Sequence, residues 1–419
     1  MKTFWRRIVT GGHTAFPLHH RPWYIVISLA CVCVLKLWNV PRQLIADSSP
    51  SQELSLFRPD EETTWRDICY PRRHVMFLKT HKCGSSTVQN ILLRFVYNNN
   101  LTLALPEELN YIGDPGSKFR ADLLPPKLVP LGGKVDVFAL HTRLNVKENL
   151  KILHRDALWI TVVRDPVYVF ESLYMYFNLR EIYGMEISDF KRMPISFLKK
   201  LPRASDQLGR NQMLFDLGYP EDMPETQLRR AVEEIDRLFD LVLVAERMDE
   251  SLVLLRHELC WSLRDVVVFT KNARRKAARR PLDADTRRTL RELNGADARL
   301  YDHFLAKHRR AVLAFGVRRM AREVSALRSL RDQFFKECDV YEVRGDDPYF
   351  QFREYSGLVS SYVTTEIANR TCLLLCLPET PLVDLLRERQ LLANGHSTPP
   401  ALLLGPRGAP KNKQYTELL

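Results

Sequence analysis

Five short, mainly apolar runs constrain this chain more than any other feature. They are His74–Leu78 (HVMFL), Val135–Leu140 (VDVFAL), Leu158–Val163 (LWITVV), Leu241–Ala245 (LVLVA) and Val266–Phe269 (VVVF). Runs without polar alternation suit parallel strands buried on both faces. Helical spacing follows three of them: Val88, Ile91, Leu92 and Phe95; Phe170, Leu173, Tyr174 and Phe177; Leu252, Leu255 and Leu259. This alternation predicts an α/β domain, a doubly wound and mostly parallel sheet flanked by helices. Residues 285–331 read as a charged helical stretch whose main breakers are Gly295 and Gly316.

The chain has 419 residues, 45% hydrophobic and 27% charged. Those values exclude a mainly disordered chain, a collagen-like fibre and a polytopic membrane protein. Lys and Arg total 62 against 50 Asp and Glu, a net charge of +12. Such an excess favours anionic partners: nucleic acid, a membrane surface, or a phosphorylated or sulfated small molecule. Nucleic acid is disfavoured, because basic and acidic residues alternate and no known module appears. Eight Cys are too few for a disulfide scaffold in a chain of this length.

Trp23 to Trp38 reads WYIVISLACVCVLKLW. Extended to residues 22–40, it approaches the ~20 residues that span a bilayer. Trp at both ends suits the interfacial belt, and Lys36 can snorkel. Lys2, Arg6, Arg7 and Arg21 precede the stretch, so the positive-inside rule puts residues 1–21 in the cytosol and the body in a lumen. A cleaved signal peptide fits less well, for want of a small-residue cleavage site. The expected plan is a cytosolic tail (1–21), a signal-anchor helix (22–40) and a stem (41–70). A catalytic domain (71–345) and a C-terminal extension (346–419), mobile from 397, complete it. A lumenal body makes the sequons at Asn100 and Asn369 usable. Cys338–Cys372 is the first pairing to expect.

The first run ends at Leu78. Lys79-Thr80-His81-Lys82-Cys83-Gly84-Ser85-Ser86-Thr87 follows, then the helical pattern. Strand, short loop and helix start form a P-loop-like anion cradle, where backbone N–H groups and the helix dipole favour phosphate. It is not a Walker loop, because Lys82 precedes the single glycine. A plain Ser/Thr helix cap with incidental lysines reads almost as well. LWITVV runs into Arg164-Asp165-Pro166, with Ser172 about two turns along the next helix. Arg164 then emerges at the carboxyl edge of the sheet, where α/β proteins bind ligands. An Arg fork with a hydroxyl can hold a second phosphate. A strand-end Arg paired with a carboxylate is the plainer reading.

The wording of these stretches resembles the galactose-3-O-sulfotransferase family of Golgi enzymes. FLKTHKCGSST with VQNILLRF resembles its 5′-phosphosulfate loop and helix. VVRDPVYVFESLYMYF resembles its 3′-phosphate segment. RNQMLFDLGYP (Arg210–Pro220), FDLVLVAERMDESLVLL (Phe239–Leu255) and LCWSLRDVVVFTKNAR (Leu259–Arg274) also match, so the likeness runs from about Cys69 to Arg331. The chain departs at Cys83-Gly84, where many members carry Thr-Ala, and at Leu144 after His141-Thr142-Arg143.

The resemblance implies a sulfotransferase fold and 3′-phosphoadenylyl sulfate (PAPS) as sulfate donor. It implies transfer to the 3-hydroxyl of a β-galactose on a glycolipid or glycoprotein glycan. It also implies a single-pass type II protein of the Golgi membrane. Lys82 would stabilise the leaving phosphate, and Gly84, Ser85, Ser86 and Thr87 would cradle the phosphosulfate within the loop 79–87. Lys79 would add field or position the loop. Arg164 and Ser172 would hold the 3′-phosphate, and Arg274, from the basic run Lys271, Arg274, Arg275, Lys276, Arg279 and Arg280, would close over it. His141, at the end of VDVFAL, is the expected base; His81, Glu246 and Asp249 are rivals. Asn211 and Asn272 are candidate contacts for adenine or acceptor. No His/Cys/Asp group has metal-ligand spacing, and the transfer requires no metal. The competing functions are a PAPS-dependent transferase for another acceptor such as uronic acid, a binding protein without turnover, and a P-loop kinase.

Overall fold

The computed structural model describes residues 69–397, apart from 115, 272, 276–280, 348–355 and 367. The expectations for the cytosolic tail, the membrane span, nearly all of the stem and the last residues lie outside these. Among the described residues no helix is long and apolar enough to cross a membrane.

The chain builds β1 (Val75–Leu78), α1 (Ser85–Asn98), β2 (Val137–Phe138), α2 (Val146–Ile152), β3 (Leu158–Val163) and α3 (Pro166–Tyr176). Then come α4 (Gln212–Asp216), α5 (Glu225–Leu238), β4 (Leu241–Val244) and α6 (Met248–Leu259). Three long charged helices follow: α7 (Ala284–Leu293), α8 (Gly295–Phe315) and α9 (Val317–Glu337). Their junctions fall at Asn294 and Gly316, beside the two breakers read from the sequence. The described chain ends in a hairpin, β5 (Val340–Arg344) and β6 (Ser360–Thr364), and in α10 (Arg370–Cys376) and α11 (Glu379–Ala393).

The main sheet has the order β2-β1-β3-β4 and is wholly parallel. Every residue of β1 and β3 is buried, as such mainly apolar runs require. The chain moves from β1 outward to β2, then returns past β1 to β3. That reversal opens a crevice at the carboxyl ends of β1 and β3. The helix after β1 is held by its apolar face: Val88, Ile91, Leu92 and Leu93 are at most 1% exposed. Each contributes ~1.5–3 kcal/mol by burial, so Ile91→Ala would cost ~2–5 kcal/mol. Pro166 opens α3 while the Asp165 carboxylate caps it, accepting the Val167 N–H at 3.0 Å.

One expected strand is absent. Leu263–Val266 is a helical turn, and residues 267–269 are buried without joining a described strand. The Arg94 guanidinium occupies the carbonyls of Asp265 and Val267, so a side chain serves where a ladder would. The second run contributes only Val137 and Phe138 to the sheet, because the Gln89 amide takes the Ala139 carbonyl at 2.9 Å.

The described residues beyond 346 belong to the same compact unit as the sheet. Both α10 and α11 pack on α1, and Gln390 of α11 bonds both backbone groups of Leu103 at 2.9 and 3.0 Å. The Cys338–Cys372 disulfide ties α10 to the end of α9, and Cys69–Cys260 ties the start of the unit to the end of α6.

Candidate active site at the carboxyl edge of the sheet

A cavity of about 1470 Å³ opens at the crevice between β1 and β3. The loop after β1 forms one wall. Lys82 (φ 56°) and Gly84 (φ 76°) both turn left-handed there, which bends the backbone into an N–H-lined concavity. Gly84 is the N-cap of α1, and no side chain caps that helix. A Cβ at this φ would be strained, so the glycine is needed. The Lys82 ammonium lies 3.3 Å from the centroid of the Tyr176 ring on α3. Its carbonyl accepts the Arg164 guanidinium at 2.8 Å. That bond joins the two loops expected to bind phosphate, although Lys82 and Arg164 lie far apart in sequence.

Lys79, His81, Lys82, Gly84, Ser85, Ser86, Thr87, His141, Arg164, Ser172 and Arg274 all line this one cavity. Thr80 and Cys83 do not. The Thr80 hydroxyl donates to the Val162 carbonyl at 2.6 Å, and Cys83 is fully buried. Burial pushes the Cys83 thiol far above its usual range, so it is no nucleophile. Ser85 also works inward, donating to the Thr80 carbonyl at 2.6 Å. The Thr87 hydroxyl accepts the Lys271 N–H at 3.1 Å. Lys271 itself is buried and donates to the Cys376 carbonyl at 2.9 Å, so this member of the basic run is a structural tie. Arg274 pairs with Glu171 at 2.5 Å. Asn211 does not reach the cavity. It is clamped between α4 and α8, its backbone N–H donating to the Asn294 side chain at 2.9 Å and its side-chain Oδ1 accepting the Asp297 N–H at 3.2 Å. Asn272, Lys276, Arg279 and Arg280 lie outside the described residues.

Two histidines share the wall. The His81 and His141 rings stack with centroids 4.3 Å apart. His141 keeps its Nδ1 without a hydrogen-bond partner. Burial, helped by the charge of Lys79, holds its pKa well below the usual value, so the imidazole is neutral at pH 7. His81 is tied differently: its Nδ1 lies 2.9 Å from Asp216 Oδ1, and its backbone N–H donates to Asp216 Oδ2 at 2.7 Å. The remaining candidate bases are engaged. Glu246 accepts the Asp165 N–H at 3.0 Å, and Asp249 accepts Arg328 and Arg331 at 2.7 and 3.1 Å.

Glu379 is the residue that sequence reasoning missed. It opens α11 and reaches the wall from the far end of the chain. One carboxylate oxygen pairs with buried Lys79 at 2.5 Å. The other accepts Gln89 at 2.9 Å and Asn110 at 2.8 Å. Pro378 before it signals a helix start, but nothing in the sequence signals its partner. The wall therefore combines one neutralised lysine with Lys82 and Arg164, a neutral imidazole and a hydroxyl. Such a site can hold a multiply charged anion and accept a proton beside it.

The family model for galactose-3-O-sulfotransferase matches residues 24–344. Galactosylceramide sulfotransferase of Bos taurus is 39% identical over 278 residues, 64% of this chain and 65% of that protein. Galactose-3-O-sulfotransferase 2 of Homo sapiens is 35% identical over 279 residues, 64% of this chain and 68% of that protein. Galactose-3-O-sulfotransferase 3 of Bos taurus is 33% identical over 286 residues, 65% of this chain and 64% of that protein. The matches thus span about two thirds of these relatives, and Glu379 lies beyond the residues that the family model matches. On the extent of the family-model match, the chain belongs to the galactose-3-O-sulfotransferase family.

Proposed function

We propose that this protein transfers the sulfuryl group of PAPS to the 3-hydroxyl of a β-galactose on a glycolipid or glycoprotein glycan. The observation that carries the reading is the gathering of Lys82, Arg164, Ser172 and His141 on one cavity at the switch point of a parallel sheet. The names of the relatives supply the acceptor sugar.

The residues fit the donor. The uncapped start of α1 and the left-handed turns at Lys82 and Gly84 favour a phosphosulfate. Arg164 and Ser172 suit the 3′-phosphate, with Arg274 at the rim. In the reaction the bond between sulfur and the bridging phosphate oxygen breaks, and a bond from sulfur to the sugar oxygen forms. The electron pair stays on the phosphate, where Lys82 stabilises the new charge. The hydroxyl proton goes to His141, which is neutral and lines the cavity. Lys79, already paired with Glu379, positions the loop. No metal takes part in this scheme.

One observation favours a second base. The Asp216 carboxylate at His81 Nδ1 would fix the tautomer whose lone pair lies on Nε2, the logic of a carboxylate–histidine pair. The test is transfer of labelled sulfate from PAPS to galactosylceramide, type 1 and type 2 β-galactosides and desulfated glycosaminoglycans. His141→Ala and His81→Ala are run beside the wild type. Sulfate on galactose position 3, lost in His141→Ala, supports the assignment. Transfer that survives His141→Ala but not His81→Ala moves the base to His81. No transfer and no binding of the desulfated nucleotide by a folded protein would sink the reading.

The apolar stretch at 22–40 supports a signal anchor in the Golgi membrane with the folded unit in the lumen. The two disulfides suit an oxidising compartment, and Asn100 and Asn369 are both exposed.

A further inference from the structure

The opposite edge of the sheet carries a cluster of a different kind. His74 directly precedes β1, Asp136 stands one residue before β2, and His154 and Asp156 lie just before β3. They come from three different loops, which is why no sequence spacing revealed them. The imidazole nitrogens of His74 and His154 and a carboxylate oxygen of Asp136 lie within 4.8 Å of one another.

The hydrogen bonds divide the atoms of the cluster into two sets. Asp136 Oδ2 is occupied by Thr102, accepting its N–H at 2.7 Å and its hydroxyl at 2.8 Å. Asp136 Oδ1 faces His74 Nε2 at 3.3 Å and His154 Nε2 at 3.8 Å. His74 Nδ1 is held by both oxygens of Asp156, at 2.8 and 2.9 Å. Outer partners therefore fix one atom each of Asp136 and His74 and turn the other inward. A carboxylate on the distal nitrogen of a ligating histidine is the usual outer arrangement of a zinc site. Zinc bonds of ~2.0–2.2 Å to nitrogen and oxygen in a tetrahedron set neighbouring ligand atoms about 3.3 Å apart. The separation from Asp136 Oδ1 to His74 Nε2 matches that value at 3.3 Å, and that to His154 Nε2 exceeds it at 3.8 Å.

We propose that His74, Asp136 and His154 form a zinc site with water in the fourth position, and that Asp156 orients His74. The site would pin together the loops that enter β1, β2 and β3. It lies across the sheet from the sulfate-transfer cavity and has no part in the chemistry there. The His74 and His154 rings now stack at 3.9 Å. Binding requires the His154 ring to tilt out of that stack, and its side chain is 35% exposed, so it has room.

The test is titration of the full chain, freed of metal by a chelator, with zinc chloride. Stoichiometry and affinity come from calorimetry, and the melting temperature is read with and without zinc. One zinc per chain and a raised melting temperature are expected. His154→Gln and His74→Gln should each abolish the binding, and Asp156→Ala should weaken it ~10–100-fold. Cobalt(II) in the same site should give the intense visible bands of a tetrahedral centre in the wild type only. His154→Gln changes a partly exposed ring and should fold as the wild type does without metal, which its melting curve checks. Absence of zinc binding by the folded wild type overturns the proposal. So does binding that is unchanged in His154→Gln.

Discussion

The two edges of one parallel sheet carry opposite chemistry. At the carboxyl edge, Lys79, Lys82 and Arg164 follow β1 and β3, and acids of the cavity are engaged: Glu379 pairs with Lys79, Glu171 with Arg274, and Asp249 with Arg328 and Arg331. At the amino edge, Asp136, Asp156 and Asp240 precede β2, β3 and β4, with His74 and His154 among them. The backbone itself has this polarity. Amides open at the amino ends of strands, and acids satisfy them there: Asp240 accepts the Trp159 N–H at 2.8 Å, and Asp136 accepts that of Thr102. At the carboxyl ends, loops feed helix N-termini, which favour anions. The difference teaches that a parallel sheet can be an anion site at one end and a cation site at the other with no separate domain for either.

Substitutions should separate the edges. Lys82→Ala should cut sulfate transfer ~10²–10³-fold, the scale of a lost transition-state contact. Its melting temperature should stay near that of the wild type, since the side chain is only half-buried. A large loss of stability would instead make Lys82 a structural residue and blur the comparison. Glu379→Gln should act on both fold and chemistry. It leaves the Lys79 ammonium buried without its charge partner, a loss of ~3–5 kcal/mol by denaturant unfolding. If Lys79→Met with Glu379→Met restores stability but not transfer, the pair serves the site rather than the fold.

A pH dependence sits behind both edges. His308 on α8 is buried against Ser251, and burial lowers its pKa to about 4. The folded protein thus refuses a proton that the unfolded chain accepts near pH 6.5. Stability is complete above that pH and falls below it, by ~1–2 kcal/mol between pH 7 and pH 5. His141, also held low, acts with the same sign. His308→Gln should flatten this part of the profile, as unfolding midpoints at the two pH values would record. The smallest effect belongs to Asp156→Ala without metal. Its side chain is 73% exposed, so stability should fall by less than ~1 kcal/mol and transfer should not change.

Much of this was legible in the sequence. LWITVV forms β3 over its whole length, because five apolar residues around one Thr, whose hydroxyl bonds the Leu78 carbonyl, have no partner but a buried sheet. Gly316 marks the turn between α8 and α9, where φ is 96° and a side chain is strained. The loop 79–87 and Arg164 read as two phosphate sites on one sheet edge, since a parallel sheet must bring strand carboxyl ends together. VVVF misled for a physical reason. Apolar content records burial, not pairing, and Arg94 took the carbonyls that a ladder would have used. Thr80 and Cys83 likewise sit in the loop but face inward, which a linear motif does not encode.

The sequence by itself determined β1, β3 and β4, the start of α3 and the breaks of the long helices, because each rests on local spacing and on the few residues that a turn or cap accepts. Only the tertiary structure decided which side chains meet across the chain. Glu379 reaches Lys79, Asp216 reaches His81, and His74 reaches Asp136 through packing alone. Such contacts depend on how helices and loops settle on the sheet, a long-range property that leaves no periodic trace in the order of residues.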